Sequence, residues 1–391
     1  MNELLKEIGN RCRSEYDDIV AIRRDIHMHP EIKFEGERTS EIAATELEKT
    51  GITVRRHIGK IGVMGDLNVA GATRRIALRA DMDALPMTEQ SDLPYRSTID
   101  GRAHTCGHDV HTANLIGTAR VLWQLKDRLK VNVRFIFQPN EEQPPGGALG
   151  MIEDGALDGV DEIYGLHVFP IIPAGQIGIA AGPAMAQADF FNITIYGKGG
   201  HGAMPHRCID PVIIGSQYVT QLQTIVSRST DPLDSAVISV TQFNAGTSYN
   251  IIPDRAELAG TVRTLRKEVQ QSVRQKLEDL LAGITSANDA TYELTYTDGY
   301  PVTVNDDRCV SRVIPIAQNL FGETGVQHPV PPSMGGEDFS YYAQQVPGCF
   351  LWLGAGNPEK GIVHAPHHPQ FNVDETCIKH GMSLLAAIVL T

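Results

Sequence analysis

Between residues 61 and 168 the chain alternates short apolar, strand-like runs with helical stretches, and this rhythm limits the fold more than any other feature. The strand-like runs fall at 61–67, 75–80, 131–138 and 163–168, with helical spacing around 112–125 and 148–153. Such alternation predicts an α/β domain with a largely parallel sheet, because parallel neighbours need a crossover and a helix usually provides it. Ligands in such sheets gather beyond the carboxyl ends of the strands. Residues just after each run are therefore the first candidates for function.

Residues from 2 to about 50 read as helices broken at His29-Pro30, with Ile19, Ile22 and Ile26 and then Ile42 and Leu47 at helical spacing. From about 186 the order differs. Phe191, Ile193 and Ile195 alternate with polar residues as a half-buried strand, and Asp210-Pro211 supplies an N-cap and first-turn proline for a helix reaching about 227. Strands follow at 236–243 and 256–262. A second helix then carries Val269, Val273, Leu277, Leu280, Leu281 and Ile284 on one face, and Tyr292, Leu294 and Tyr296 alternate in a last strand. The pattern is β-α-β-β-α-β, a ferredoxin-like domain. It predicts an insertion at 186–297 in a discontinuous larger domain made of residues 1–185 and 298–391.

Composition narrows the class. With 391 residues, 42% hydrophobic and 21% charged, the chain has material for two or three cores, which excludes disordered and fibrous classes. Lys plus Arg number 34 against 47 Asp plus Glu, for a net charge of −13, and no basic run interrupts that balance. Nucleic acid and membrane are accordingly not expected partners. The charged first residues lack a signal-like apolar segment, and no stretch nears the roughly 18 apolar residues of a membrane helix, so the expected location is cytoplasmic. The six cysteines include no CxxC pair and read as free thiols.

Metal-ligand residue types follow the runs: Asp81 and Asp83, then Cys106-Gly107-His108, Glu141-Glu142, His167, and finally His364, His367 and His368. Each alone has an ordinary explanation as a solvated or capping group. Their shared position at strand ends is stronger, because the sheet collects those ends in one crevice. Thiolate, imidazole and carboxylate together suit a borderline-soft ion such as zinc, and the set is large enough for two ions. Adjacent side chains leaving a strand point to opposite sides, so one of Glu141 and Glu142 would bind metal while the other handles protons. A carboxylate beside a metal-bound water is an arrangement for hydrolysis.

The strings RADMDALP (79–86), HTCGHDVHT (104–112), FQPNEE (137–142), GLHVFP (165–170), GKGGHGAMPH (197–206), NIIPDRAELAGTVRT (250–264), GGEDFSYY (335–342) and HHPQF (367–371) resemble the M20 metallopeptidase family. They are most similar to its amidohydrolase branch of hippurate hydrolases, N-acyl-amino-acid hydrolases and auxin-conjugate hydrolases. The resemblance implies an exopeptidase-like catalytic domain with two divalent ions, zinc or manganese first, with cobalt and nickel also accommodated. It implies Cys106 as the thiolate shared by both ions, with His108, Glu142, His167 and His367 as the other ligands. His364 also fits the terminal HxP pattern, but the spacing to Phe371 matches only His367. Glu141 corresponds to the general base that activates the metal-bound hydroxide. Asp83 corresponds to an acid that orients a ligand, and Asp81 stands where much of the wider family has histidine. In the inserted domain His201 corresponds to an oxyanion-stabilising histidine, and Asn250 and Arg263 to residues that hold the substrate carboxylate. The implied reaction is hydrolysis of small N-acyl amino acids, hippurate-like or N-acetylated, with a homodimer through the inserted domain.

Two rivals use the same residues. Cys106 could be a nucleophile with His108 or His111 as its base, making a cysteine amidase. The fold could also serve as a non-catalytic binding protein. His27, His29, Asp109 and His111 are expected in caps, buried hydrogen bonds or support of ligands. Gln143-Pro144-Pro145 departs from the glycine-rich stretch common in the family at that point.

Overall fold

The computed structural model describes residues 2–391 and divides into two compact units. The first comprises the chain up to Ala184 with Val304–Pro331 and Asp338–Thr391; the second comprises Met185–Thr303 with Pro332–Glu337. In chain order the helices used below are α1 (Asn2–Met28), α2 (Glu37–Thr50), α3 (His108–Gln124), α4 (Ala148–Glu153), α5 (Pro211–Thr224), α6 (Lys267–Ser286), α7 (Asp307–Phe321), α8 (Phe339–Ala343) and α9 (Thr376–Leu390). The strands used below are β1 (Thr53–Ile58), β2 (Gly62–Leu67), β3 (Arg75–Asp81), β4 (Asn132–Gln138), β5 (Glu162–Pro173) and β6 (Ile177–Ile179), then β7 (Gln187–Tyr196), β8 (Ala236–Ala245), β9 (Arg255–Thr264), β10 (Thr291–Tyr300), β11 (Val326–Gln327) and β12 (Gly348–Gly356).

The first unit is built on one sheet of order β1-β2-β4-β3-β5-β12-β6-β11. Its centre, β4-β3-β5-β12, is parallel, while β1, β2 and β6 join antiparallel. The parallel strands are buried on both faces, as their near-continuous apolar runs require. Helix α3 is buried almost all round because it packs on β3 and also beneath α1 and α9. Glycine permits that approach: a Cβ at Gly117 would lie 2.2 Å from Met382 Sδ of α9. The expected helix break holds, with α1 ending at Met28 ahead of His29-Pro30.

The second unit has an antiparallel sheet of order β8-β9-β7-β10, covered by α5 and α6. Its element order and strand order are those of a ferredoxin-like domain. Asp210 caps α5 by accepting from Val212 N–H at 2.9 Å, with Pro211 in the first turn. Helix α6 buries Val269, Val273, Leu277, Leu281 and Ile284, one face at spacings of four and three, against Phe191, Ile193 and Ile195 of β7. Among the described residues no helix is long and apolar enough to cross a membrane. All six cysteines are free.

Leu277 is fully buried at the centre of this second core. Leu277→Ala is expected to destabilise the protein by about 2–5 kcal/mol through lost burial and an unfilled cavity. Chemical denaturation followed by circular dichroism measures it.

Candidate metal centre

The carboxyl ends of β3 and β4, the middle of β5, the N-terminus of α3 and the loop carrying His367 bring the candidate donors of the first unit together, with His167 inside β5 and not after a strand end. Three atom sets, from Cys106, His108 and His167, from Cys106, Glu142 and His367, and from His108, Glu141 and Glu142, each lie within 4.8 Å of one another. Helix α3 starts at His108 rather than near 112, which puts His108 and His111 in one turn. The entry to that turn requires glycine: Gly107 has φ +97°, and a Cβ there would lie 2.2 Å from Val168 Cγ2.

His108 is fully buried among carboxylates. Its Nδ1 lies 3.5 Å from Asp83 Oδ1, and its Nε2 lies 3.8 Å from Asp81 Oδ2 and 3.9 Å from both Glu141 Oε2 and Glu142 Oε1. Neither ring nitrogen makes a hydrogen bond of good geometry. Burial would lower its pKa, but Asp81, Asp83 and Glu142 outweigh burial and raise it to about 10. A buried pocket with this excess of negative charge calls for cations, and imidazole, thiolate and carboxylate donors fit divalent metal ions.

The other donors are held in orientations that suit ligation. His167 donates from Nδ1 to its neighbour's carbonyl, Val168 O, at 2.7 Å, which turns Nε2 toward Cys106 Sγ at 3.4 Å. Burial, with His111 and His108 nearby, holds its pKa well below the usual histidine value. His367 sits at φ +68°, tied by its N–H to Thr105 O at 2.8 Å, and its Nε2 reaches 3.3 Å from Glu142 Oε2. His364 instead stacks on His368 with ring centroids 4.0 Å apart. Glu142 Oε1 is buried without a hydrogen-bond partner, another donor atom facing the cluster.

The glutamate pair differs from the sequence expectation. Strand β4 ends at Gln138, and Asn140 at φ +53° turns the chain, so strand alternation no longer applies at 141 and 142. Both side chains therefore approach His108 instead of pointing apart. Asp83 makes the turn possible: its Oδ1 accepts from Glu141 N–H at 2.8 Å and its Oδ2 from Glu142 N–H at 3.2 Å. The partners of Asp83 are thus His108 and the backbone of the glutamate pair.

His111 is committed elsewhere. Its Nδ1 donates to Asp81 Oδ1 at 2.6 Å and its Nε2 accepts from Val168 N–H at 2.9 Å. Asp81 spends its second oxygen on Arg79 Nη1 at 2.7 Å. Burial alone would raise the Asp81 carboxyl, yet His108, His111 and Arg79 hold it well below the carboxylate range. Asp109 and His27 form a separate buried cluster with Arg23, with Arg23 Nε 2.7 Å and His27 Nδ1 2.8 Å from Asp109 Oδ2. The sequence reading missed Arg79, Gln138, Asp338 and His104. All four lie within the motif strings quoted above: Arg79 as a charge inside an apolar run, Gln138 in FQPNEE, Asp338 in GGEDFSYY, and His104, buried with both nitrogens unpartnered, at the start of HTCGHDVHT.

The cysteine-nucleophile alternative finds little support here. Cys106 Sγ faces His167, whose other nitrogen is fixed on backbone, and burial with Glu142, Glu141 and Asp81 pushes the thiol well up. A nucleophile needs the opposite surroundings.

In the second unit the structure brings His201 and Asn250 side by side, with Gly202 N–H donating to Asn250 O at 2.8 Å. His201 Nδ1 accepts from Ala203 N–H at 3.1 Å, which leaves Nε2 as an exposed donor. Arg263 is half-buried, with its guanidinium 5.7 Å from the Phe190 ring centre.

Residues 77–391 match the family model described as peptidase family M20/M25/M40. The N-acetylcysteine deacetylase of Bacillus subtilis is 41% identical over 376 residues, covering 95% of this chain and 97% of the relative. The N-acyl-L-amino acid amidohydrolase of Geobacillus stearothermophilus is 46% identical over 290 residues, 74% of this chain and 78% of the relative. The crystal structure of the YXEP protein of Bacillus subtilis, described as a dinuclear metal-binding peptidase of the M20 family, superposes with a TM-score of 0.84 at 36% identity, covering 97% of this chain and 98% of that one.

Two outcomes follow from the donor geometry. Removing divalent ions with a chelator should lower Tm, and restoring an ion at about a hundred times its Kd should return about 2.7 kcal/mol of stability, read by calorimetry. Asp83→Ala frees the Glu141 and Glu142 amides and the His108 ring together, and should weaken ion binding by about 10–100-fold in a chelator competition assay.

Proposed function

The chain belongs to peptidase family M20/M25/M40, and from that premise we propose that it hydrolyses the amide bond of N-acyl amino acids, with two divalent metal ions as cofactors. The observation that carries the reading is the buried set of carboxylates, imidazoles and thiol around His108, with Glu141 among it. Cys106, shared by two of the donor groups, together with His108, Glu142, His167 and His367, would hold the ions. Bound there, they would polarise the substrate carbonyl and make water a stronger acid. Zinc or manganese fits the mixed thiolate, imidazole and carboxylate set, and cobalt or nickel is also compatible.

Glu141 is the general base in this reading. It accepts a proton from the attacking water at a carboxylate oxygen and returns it to the departing amine nitrogen, so the carboxylate is regenerated each turnover. Asp83 keeps the Glu141 backbone and the His108 ring in place while charge shifts. His201, carrying its proton on Nε2, would donate to the oxyanion of the tetrahedral intermediate. Arg263 offers a planar fork for the free carboxylate of the amino acid, with Asn250 as a second donor. Two relatives bear names that specify the same bond, between an acyl group and an amino acid nitrogen, and this supports the substrate class. Assignment to hippurate-like or N-acetyl substrates, and a homodimer through the second unit, belong to the same proposal.

The test is release of free amino acid from hippurate, N-acetyl-methionine and an indoleacetyl-amino acid by ion-loaded protein. Glu141→Gln should keep its bound ions and lose about 10²–10⁴-fold in kcat, the usual scale of general base catalysis. Full activity in that variant would remove Glu141 from the mechanism.

A further inference from the structure

We propose that Asp338 is a positioning residue for the loop that carries Glu141 and Glu142, an inference that rests on the base role given to Glu141. Asp338 is fully buried at the point where the chain re-enters the first unit after Pro332–Glu337. Its Oδ2 accepts from the N–H groups of Gly147 and Ala148, both at 3.0 Å. Gln138 Nε2 donates to Oδ1 at 2.8 Å and to Oδ2 at 2.7 Å. Gln138 is the last residue of β4, and Gly147 precedes α4, so one carboxylate fastens both ends of the loop between them. Oxygens of Asp338 and Glu141 lie within 4.8 Å of each other, which puts the fastening close to the proposed base.

Arg79 joins this fastening to the rest of the site. Its Nη2 donates to Asp338 Oδ1 at 2.8 Å, its Nε to Gln138 Oε1 at 3.0 Å and its Nη1 to Asp81 Oδ2 at 2.7 Å. Asp81 in turn holds His111, and His111 accepts from the amide next to His167. The loop that carries the glutamates and the strand that carries His167 are therefore linked by one continuous chain of buried hydrogen bonds.

The fit is tight. A Cβ at Gly146, where φ is +82°, would lie 2.4 Å from Asp338 Oδ2, and one at Gly147 would lie 1.9 Å from Pro139 O. Asp83 fixes the middle of the loop through two amides, and Asp338 fixes its ends. Proton transfer depends steeply on such placement, and a displacement of about 1 Å can lower turnover about 10²-fold. A purely structural ion pair would lower stability and leave kcat per folded, ion-loaded molecule unchanged.

The experiment compares Asp338→Asn with Arg134→Lys, which weakens a different, partly buried pair, Arg134 with Asp66, in the same sheet. Hydrogen exchange at the Gly147 and Ala148 amides, bound ion content, Tm, kcat and KM are measured for each, and Glu141→Gln is run in parallel. Asp338→Asn should speed exchange at both amides and lower kcat by about 10²-fold with KM and ion content near wild type. Arg134→Lys should lower Tm and leave kcat unchanged. Gly146→Ala, which crowds Asp338 from the loop side, should reproduce the kcat loss even if Asp338→Asn does not fold. Wild-type kcat or unchanged exchange in Asp338→Asn overturns the proposal, as does a kcat loss fully matched by loss of bound ions. Inactive Glu141→Gln beside active Asp338→Asn defeats the positioning role alone, whereas active Glu141→Gln defeats the base assignment and the positioning role with it.

Discussion

Four carboxylates crowd one buried imidazole, and much of the first unit is arranged around that concentration of charge. Asp81, Asp83, Glu141 and Glu142 all approach His108 within 3.9 Å, in a pocket from which His108 is fully shielded. Burying like charges costs several kcal/mol per ion unless counter-charge is close. In the protein alone His108 and Arg79 supply part of that counter-charge, and divalent ions would supply the rest. The same excess that makes the pocket costly without cations makes it a strong cation site.

The parallel centre of the sheet delivers these groups to one place. Strand β3 ends in Asp81, β4 leads into the glutamate turn, β5 carries His167, and α3 opens with His108. Two buried acids that face inward hold the turn: Asp83 takes its amides and Asp338 its ends. His111 contributes by fixing Asp81 and the backbone beside His167, and does so with both nitrogens already occupied. Asp83, Asp338 and His111 thus hold the loop and strand that carry the candidate donors without being proposed as ligands themselves.

The fold was legible where hydrophobic period was strong. The parallel runs of β3, β4 and β5, the amphipathic face of α6 and the Asp210-Pro211 start of α5 were all visible because burial sets their pattern directly. Strand β1 was missed: Thr53–Ile58 is an edge strand carrying Arg55, Arg56 and His57, and half-exposed edges need little apolar alternation. The sequence pattern places the start of α3 too late because no side chain caps it; Gly107 turns the chain there through close packing on Val168, a tertiary contact. At the site, residue types marked the donors, but the turn at Asn140 brought Glu141 and Glu142 to the same imidazole against strand logic. The fastening by Asp338 joins residues about two hundred positions apart, and such a partner has no local signature.

The central claim is that these donors form one site for two divalent ions. Its most direct test is an anomalous-difference map from crystals of zinc- or manganese-loaded protein, recorded above the absorption edge of the metal used. The account predicts two peaks among Cys106, His108, Glu142, His167 and His367, with Cys106 Sγ next to both. A map with no peak among these residues, from protein that still hydrolyses N-acyl amino acids, would contradict it.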